Sequence, residues 1–461
     1  MNYLIQAIAD GITDAGCTHH ANYPGFHANE LHAALNAPYT SCDEKNACAF
    51  AWGCSMAGER AVVSFKNVGL NDAADAFLGA LFVGCRAGLV LVLFDDCDIQ
   101  HSQSRIDVRP YFLIYGGLWL EPRSVPEAYL FAKKAFVYSE KFKIPVVLRV
   151  TNILYDMGLM PATWERSQEP AVEFAPLQRY PDCSPYVVHP SEAWRMEQEL
   201  EEKNRNIREF VETLYLDQPE QCSPQIICGA KRNAMTRNPF RIFTLPVPAI
   251  ALKKRFGSCS LSELTVYEHG GIPFMGRMIS EALLGESCVL RMMTPPKGVR
   301  SKYHNNDFME NLFSVLRSTP ESIVCGDLGT FTMDPGRTLQ LCLCYGVSPA
   351  VAMGVAEASH GVKRVFCVTG DAAYLHSGQQ CLFEMVERQV SMTVFVLENG
   401  GAAGTGGQHI PGDLKRAPDA VRLWKLDYPS FTEESLARFV DDLPKQGINL
   451  VIVHTPNRKG D

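Results

Sequence analysis

The sequence predicts an α/β protein with two doubly wound parallel-sheet domains and a smaller middle α/β domain. Short apolar runs rich in valine, leucine and isoleucine recur along the chain, as expected for parallel strands buried on both faces. Glycine-rich turns and amphipathic helical segments separate these runs. The 461 residues are enough for about three domains. We place these domains at residues 1–165, 166–298 and 299–461.

The first domain shows the strand and helix pattern in its simplest form. Its predicted strands are 61–65, 89–94 and 145–150. Its predicted helices are 30–35, 45–57, 71–83 and 126–142. This alternation indicates a sheet of parallel strands whose connections are helices.

The rest of the chain divides into a connector, a reduced middle domain and a second clear α/β pattern. A polar, proline-bearing connector (166–191) leads to a charged helix at 192–214. The middle domain has predicted strands at 225–229 and 240–245 and a helix near 273–284. The third domain has predicted strands at 322–325, 365–369, 392–397 and 450–454, and helices at 347–359 and 379–389.

Composition excludes several classes of protein. The formal net charge is −8, without long blocks of like charge, so binding to nucleic acid through phosphate neutralisation is not expected. No apolar run is long enough to span a bilayer, and the first residues do not resemble a secretion signal. The sixteen cysteines mostly have apolar or small neighbours, which is typical of buried thiols in a reducing compartment. We therefore expect a cytoplasmic protein that binds neither membranes nor nucleic acid.

Two neighbouring predicted strands of the third domain end in hard oxygen donors. Gly370 and Asp371 follow the first of these strands, and Asn399, with Gly401 and Ala402 close behind it, follows the second. In an open parallel sheet ligands bind at the carboxyl ends of the strands. A carboxylate and an amide suit Mg²⁺ when phosphates supply further oxygens, and the helix predicted at 379–389 would offer its N-terminal amides. Each dipeptide by itself is equally typical of a simple turn.

This pair of strand ends resembles the metal–diphosphate motif of thiamine-diphosphate enzymes. Such enzymes carry a second α/β domain with one buried glutamate, and Glu44, within the segment 41–53, fits that description. The closest resemblance is to the large-subunit family of indolepyruvate ferredoxin oxidoreductases. That family has a segment similar to 44–48, a turn similar to 66–71 and a loop similar to 100–103.

The resemblance implies thiamine diphosphate and Mg²⁺ as cofactors and a homodimer as the assembly. It implies that Glu44 holds a proton against N1′ of the aminopyrimidine, since a buried carboxyl resists ionisation. It also implies that Asp371, Asn399 and Gly401 hold the metal. The cofactor-binding residues that it implies are Glu44, Asn71, Gly326, Asp327, Tyr345, Gly370, Asp371, Ala372, Ala373, His376, Asn399, Gly401 and Ala402.

Candidate catalytic residues besides Glu44 lie in loops of the first domain. His27 follows the turn Pro24–Gly25–Phe26 and is a candidate acid or base, while Phe26 suits a pocket for a bulky or aromatic substrate. His101 and Gln103 lie in the loop after the strand 89–94, which opens at the same edge of the sheet. Each of these side chains is also compatible with a loop or core position without a role in catalysis. His19 and His20 are interpreted as loop histidines, and Arg105 and Arg109 as candidates for a substrate carboxylate.

The chain departs from this family in two ways that bear on its reaction. It has no cysteine runs for iron–sulfur clusters, and Asn67 stands where the family turn has a histidine. An amide cannot act as a base at neutral pH. We expect decarboxylation of a 2-oxo acid, such as pyruvate or an aromatic pyruvate, then carboligation with a second carbonyl compound to an acyloin, or protonation to an aldehyde. The alternatives are an oxidoreductase subunit that passes electrons to a separate iron–sulfur subunit, and a non-catalytic cofactor-binding protein.

Overall fold

The computed structural model confirms the predicted α/β fold class. It describes residues 2–96, 100, 102–103, 106, 108–109, 111, 115–170, 172–180, 184–189, 192–216, 225–228, 242–243, 265–268, 307–359, 362, 364–402, 407–428 and 430–455. The strands are β1 (His19–Asn22), β2 (Ala61–Lys66), β3 (Leu89–Asp95), β4 (Leu118–Leu120), β5 (Val146–Thr151), β6 (Gln225–Cys228), β7 (Ile242–Phe243), β8 (Thr265–Glu268), β9 (Ser322–Gly326), β10 (Arg364–Gly370), β11 (Met392–Glu398), β12 (Arg422–Asp427) and β13 (Ile448–His454).

The helices connect these strands. They are α1 (Tyr3–Asp14), α2 (Ala28–Ala34), α3 (Glu44–Ala57), α4 (Leu70–Val83), α5 (Val125–Phe142), α6 (Asn152–Met157), α7 (Ala193–Leu216), α8 (Asp307–Ser318), α9 (Ser348–Ala358), α10 (Asp371–Ala373), α11 (Cys381–Glu387) and α12 (Glu433–Asp442). Short 3-10 turns cover Asn67–Gly69 and Thr330–Met333, and a π-helical turn covers Tyr374–Gly378.

The two large sheets share one connectivity. The first has the order β1-β2-β3-β5-β4, and the second, read from its β9 edge, has β9-β10-β11-β13-β12. All of their pairings are parallel. The strands β7-β6-β8 form a third, small parallel sheet. Equivalent strands in the two large sheets therefore bring equivalent loops to their carboxyl edges.

Most predicted elements of the first and third domains are present, with shifted ends. The sequence analysis did not identify the elements α1, β1, β4, α6, α8, β12 and α12. The strands β1 and β4 are only four and three residues long. The predicted start of the helix 379–389 is wrong, since helical structure begins at Asp371 and continues through the π-helical turn. The helix predicted near 273–284 lies outside the described residues.

Helices α3 and α9 hold the two large sheets together by direct backbone contact. A Cβ atom added at Gly354 would collide with the carbonyl oxygen of Phe50 and lie 2.9 Å from the backbone nitrogen of Cys54. A Cβ atom at Gly53 would collide with the carbonyl oxygen of Val351 in the same way. Glycine at both positions allows a helix approach that no larger residue permits without movement of the backbone.

Buried charges reinforce this junction between the sheets. The Arg388 guanidinium lies over the Phe50 ring at 3.9 Å and pairs with Glu384 at 2.8 Å and Glu357 at 3.1 Å. Glu384 in turn accepts a hydrogen bond from the Ser41 hydroxyl at 3.0 Å. This cluster ties the segment that precedes α3 to α11.

The described cysteines are mostly buried, as the sequence analysis expects. Of the described cysteines, only Cys42 is half-buried, and the rest are buried. Within the part of the chain that the structure describes, every helix is too short or too polar to cross a bilayer.

Candidate functional site

The strand ends predicted to hold a metal converge at the carboxyl edge of the second sheet. Strands β10 and β11 are neighbours, and the Asp371 carboxylate accepts hydrogen bonds from the backbone of the loop that follows β11. Its Oδ2 accepts from Asn399 N at 3.1 Å, Gly400 N at 2.9 Å and Gly401 N at 3.1 Å, and its Oδ1 from Ala372 N at 2.7 Å. Burial raises the pKa of Asp371, and these backbone N–H groups oppose that shift.

Asp371 and Asn399 also provide oxygen atoms that suit a hard divalent cation. Asn399 Oδ1 accepts a hydrogen bond from Gly401 N at 3.2 Å, and Asp371 Oδ1 accepts the single bond from Ala372. Carboxylate and amide oxygens each offer two lone pairs, so both oxygens keep acceptor capacity. Oxygen atoms of this kind are what Mg²⁺ requires of a protein that binds it together with phosphates. The residues present therefore fit a metal–diphosphate group.

The Asp327 carboxylate is buried and binds backbone and hydroxyl groups of its own domain. Its side chain is fully buried and accepts hydrogen bonds from Gly346 N at 2.6 Å, Ser348 Oγ at 2.5 Å and Thr369 Oγ1 at 2.5 Å. Burial raises its pKa, and these three donors oppose the shift. The carboxylate thus anchors the turn before α9 to strands β9 and β10, and a contact between Asp327 and the cofactor stays a prediction.

The remaining predicted cofactor residues of this half surround the start of α10. Ala372 and Ala373 are buried in its first turn. The Tyr345 and His376 rings meet edge to face at 5.4 Å, and His376 Nδ1 lies 2.5 Å from the Ser377 hydroxyl. Burial, together with the charges of Asp327 and Asp371, raises the pKa of Tyr345. Gly326 ends β9, and Ala402 bridges to Gln408.

Glu44 is the first residue of α3. Asp43 caps the helix by accepting a hydrogen bond from Asn46 N at 2.6 Å. Burial, with smaller contributions from Asp72 and Asp43, raises the pKa of Glu44. A Cβ atom added at Gly69 would lie 2.8 Å from Glu44 Cδ and collide with Glu44 Oε1. Gly69 therefore leaves the space that the Glu44 carboxyl occupies.

The start of α3 lies directly against the second sheet's half of the same chain. Lys45 Nζ donates to the Tyr345 carbonyl at 3.0 Å, and Asn46 Nδ2 donates to the Ser377 carbonyl at 3.1 Å. Asp43 accepts a hydrogen bond from Gln380. The flanking residues of Glu44 thus contact the segments on both sides of Asp371.

Asn46, two residues after Glu44, carries a buried polar atom whose hydrogen bond is unmade. This residue is fully buried, and within the described residues its Oδ1 has no hydrogen-bond partner. A buried acceptor without a donor costs about 1–3 kcal/mol, which a polar ligand group would recover.

A charged network that the sequence analysis missed lies at the carboxyl edge of the first sheet. Asn67 Nδ2 donates to Asp95 Oδ1 at 3.0 Å and to the Ile106 carbonyl at 2.8 Å. Arg149 binds Asp95 at 2.6 Å and also pairs with Glu121. All four side chains are buried. An arginine within the otherwise apolar strand β5 was the available signal, and the network fixes the orientation of the Asn67 amide.

His27 lies at this same edge, after β1. Its Nδ1 is 2.7 Å from Glu30 Oε1, and its ring stacks on the Tyr155 ring with a centroid distance of 3.3 Å. The half-buried Phe26 ring lies 3.6 Å from the His27 ring. The sequence analysis did not identify Glu30 or Tyr155, although Glu30 is one helical turn from His27.

The other candidates are dispersed. Asn71 is exposed and accepts a hydrogen bond from the Tyr111 hydroxyl at 3.1 Å, and Gln103 is exposed. Arg109 is buried, whereas His101 and Arg105 lie outside the described residues. His19 and His20 are in β1, which corrects their interpretation as loop histidines. His19 lies 3.4 Å from Glu357, and burial lowers the pKa of His20 to about 4.

Comparisons with known proteins agree with this geometry. Residues 327–437 match the family described as "Thiamine pyrophosphate enzyme, C-terminal TPP binding domain". The chain is similar to indolepyruvate oxidoreductase subunit IorA of Archaeoglobus fulgidus, with 26% identity over 91% of this chain and 78% of the relative. It is also similar to the subunit of that name from Pyrococcus abyssi, with 26% identity over 97% of this chain and 84% of the relative.

A solved structure shows the same fold. Benzoylformate decarboxylase from Polynucleobacter necessarius superposes with a TM-score of 0.53 and 13% sequence identity, over 100% of both chains. The predicted resemblance is thus confirmed: residues 327–437 match the C-terminal domain of thiamine pyrophosphate enzymes, and the chain as a whole resembles indolepyruvate oxidoreductase subunits.

Proposed function

We propose that this protein is a thiamine-diphosphate- and Mg²⁺-dependent enzyme that decarboxylates a 2-oxo acid. The observation that supports it best is the contact between the start of α3, which carries Glu44, and the segments on both sides of Asp371. One cofactor with an aminopyrimidine end and a diphosphate end needs both groups. When bound, thiamine diphosphate supplies an electron sink for cleavage of the bond between the carboxylate and the carbonyl carbon.

The chain's own residues have separable tasks in this proposal. Glu44 would exchange a proton with the aminopyrimidine end of the cofactor, and burial raises the pKa of its carboxyl group. Asp371, Asn399 and Gly401 hold the metal with the diphosphate. The buried Asp95–Arg149 pair holds the Asn67 amide in one orientation at the edge where substrate enters. Phe26 supports an aromatic 2-oxo acid as substrate.

We propose protonation to an aldehyde, or carboligation with a second carbonyl compound to an acyloin, as the fate of the product. The second candidate is an oxidoreductase subunit that passes electrons to a separate iron–sulfur protein. The names of the relatives favour this second candidate. Both share the decarboxylation step and differ in the fate of the electron pair that it leaves. A proton or a second carbonyl carbon takes this pair in the first candidate, whereas a separate iron–sulfur protein accepts two electrons in the second.

One experiment separates these functions. The purified chain is incubated with thiamine diphosphate, Mg²⁺ and indolepyruvate, with and without pyruvate, and CO₂ and organic products are measured by mass spectrometry. An aldehyde or acyloin without added acceptor supports the first candidate. CO₂ release that requires a viologen dye supports the second. No CO₂ under either condition, with the cofactor bound, favours a non-catalytic cofactor-binding protein and overturns the proposal.

Assembly as a homodimer in the cytoplasm is a further part of the proposal. Because Glu44 and Asp371 are already flanked by contacts within one chain, binding of thiamine diphosphate need not follow dimerisation. Titration of the cofactor across a dilution series, with the mass measured by light scattering, tests the dependence. Affinity that falls as the dimer dissociates indicates a site completed by the partner.

A further inference from the structure

The His27 ring contacts three aromatic rings and the Glu30 carboxylate. Its backbone lies in the left-handed region with φ of 55°, which is uncommon for a residue other than glycine. Its side chain is 9% exposed and packs between the Phe26 and Tyr155 rings, with the Phe94 ring edge-on at 6.3 Å. A strained backbone and an enclosed ring together fix one position of the imidazole.

Glu30 and Tyr155 complete a hydrogen-bonded group around this ring. Glu30 Oε1 lies 2.7 Å from His27 Nδ1, and the Tyr155 hydroxyl donates to both Glu30 oxygens at 2.8 and 3.1 Å. A carboxylate on Nδ1 selects the tautomer in which Nε2 exchanges the proton, and it stabilises the imidazolium. Burial and Glu30 raise the pKa of Tyr155 to about 12, so its hydroxyl remains a donor.

The group lies at the edge that also carries Glu44. Gly25, two residues before His27, packs against Lys66, since a Cβ at Gly25 would be 3.1 Å from Lys66 Cβ. Lys66 leads into the turn Asn67–Gly69, and Gly69 borders the Glu44 carboxyl. The loops after β1 and β2 thus join His27 to the candidate site.

We propose that His27 carries the proton at Nε2 for the 2-oxo acid reaction, and that Glu30 is its positioning residue. This inference rests on the proposed function, and it identifies which histidine of the first domain moves protons. The titratable groups on the described elements around His27 are the following: Glu30 and His32 on α2, Tyr155 and Asp156 on α6, His19 and His20 on β1, Lys66 on β2, Asp95 on β3, and Tyr3, Asp10 and Asp14 on α1. Asp95 pairs with Arg149, and Asp10 and Asp14 pair with Arg166. Glu30 contacts the ring, with its Oε1 at 2.7 Å from Nδ1.

The first measurement uses the full chain without cofactor. The titration midpoint of His27 is followed by NMR of histidine ring protons, and its signal is assigned by its loss in His27→Gln. Glu30→Gln is nearly isosteric, and the Glu30 side chain is 45% exposed, so the fold is retained. We expect the midpoint to move down by about one pH unit, because the variant removes a charge that favours imidazolium. Tyr155→Phe keeps that charge and is the matched control, in which the midpoint does not fall.

The second measurement is the pH dependence of 2-oxo acid turnover in the loaded enzyme. We expect the limb that belongs to His27 to move to lower pH in Glu30→Gln by the shift seen in the NMR titration, and to stay in Tyr155→Phe. An unchanged midpoint would overturn the role of Glu30. A midpoint that moves while the limb does not would overturn proton transfer by His27. If the wild type binds thiamine diphosphate but turns over no 2-oxo acid, the proposed function fails, and the role of His27 in that reaction fails with it. The NMR titration still tests the pairing of His27 with Glu30 in that case.

Discussion

Replacement of Gly69 by alanine tests whether the position of the Glu44 carboxyl controls activity. The backbone of Gly69 has φ of −64° and ψ of −17°, which any residue adopts, so the substitution introduces no backbone strain. The added Cβ would lie 2.6 Å from Glu44 Cγ and 2.8 Å from Glu44 Cδ, whereas ordinary contacts begin at 3.4 Å. The Glu44 side chain must therefore retreat by about 0.6 to 0.8 Å to restore normal contacts.

The expected result is a large loss of turnover with little loss of stability. A misplacement near 1 Å in an active site costs up to about 10²-fold in rate, so we expect kcat to fall roughly tenfold to a hundredfold. Exchange of the cofactor's C2 proton for deuterium, followed by NMR, measures the effect of Glu44 without requiring a substrate. Thermal unfolding checks that the fold is intact.

A double variant gives the control. In a Glu44→Ala background the colliding atoms are absent, so Gly69→Ala adds no clash. It should then be neutral, or stabilise the protein by about 0.4–1 kcal/mol, because alanine restricts the unfolded chain. Wild-type exchange rates in the single Gly69→Ala variant would refute the reasoning, as would equal destabilisation by Gly69→Ala in both backgrounds.

Three further predictions concern the second sheet and its junction with the first. Gly354→Ala forces apart the backbones of α3 and α9 and should therefore lower the free energy of unfolding by about 1–3 kcal/mol, measured by denaturant titration. An unchanged denaturation midpoint would contradict the direct contact between these helices. Asp371→Asn should weaken Mg²⁺-dependent binding of thiamine diphosphate roughly tenfold to a hundredfold by calorimetry, because one charged interaction contributes about 1.5–3 kcal/mol; unaltered affinity would move the metal elsewhere. Asp327→Asn should lower the free energy of unfolding by about 1–3 kcal/mol, because an NH₂ group replaces one of the two oxygens that accept from Gly346, Ser348 and Thr369. Since burial raises the pKa of Asp327, the unfolded chain releases this proton first, near pH 3.8, and the folded state holds it to higher pH. The stability advantage of wild type over Asp327→Asn should therefore shrink as pH rises through that window, and an advantage that grows would contradict the assigned direction.

The fold class and the convergence of Asp371 with the loop of Asn399 followed from local sequence. Apolar strands, glycine turns and helical periodicity specify parallel sheets, because each depends on residues a few positions apart. Asp371 and Asn399 were predictable for the same reason: each ends an apolar strand, and the carboxyl ends of adjacent parallel strands meet. Local reasoning failed at β1, where three of the four residues from His19 to Asn22 are polar, and at the start of α10, where glycine and aspartate resemble a loop.

The pairings between distant residues needed the tertiary structure. Asp327 had the sequence pattern of a ligand, yet its carboxylate is buried against Ser348 and Thr369, which lie far along the chain. No periodicity indicates that Tyr155 stacks on His27, because that contact depends on how helix α6 packs against the turn that precedes α2.

The sequence by itself determined two parallel sheets, a carboxylate and an amide at one strand edge, and a glutamate at the start of a helix. Only the tertiary structure decided that α3 approaches α9 closely enough, through Gly53 and Gly354, to place the neighbours of Glu44 against Tyr345 and Ser377. The physical reason is the range of the interactions. Strands and helices form from hydrogen bonds and apolar spacing within short segments, whereas the site depends on backbone contacts between helices some three hundred residues apart in the chain.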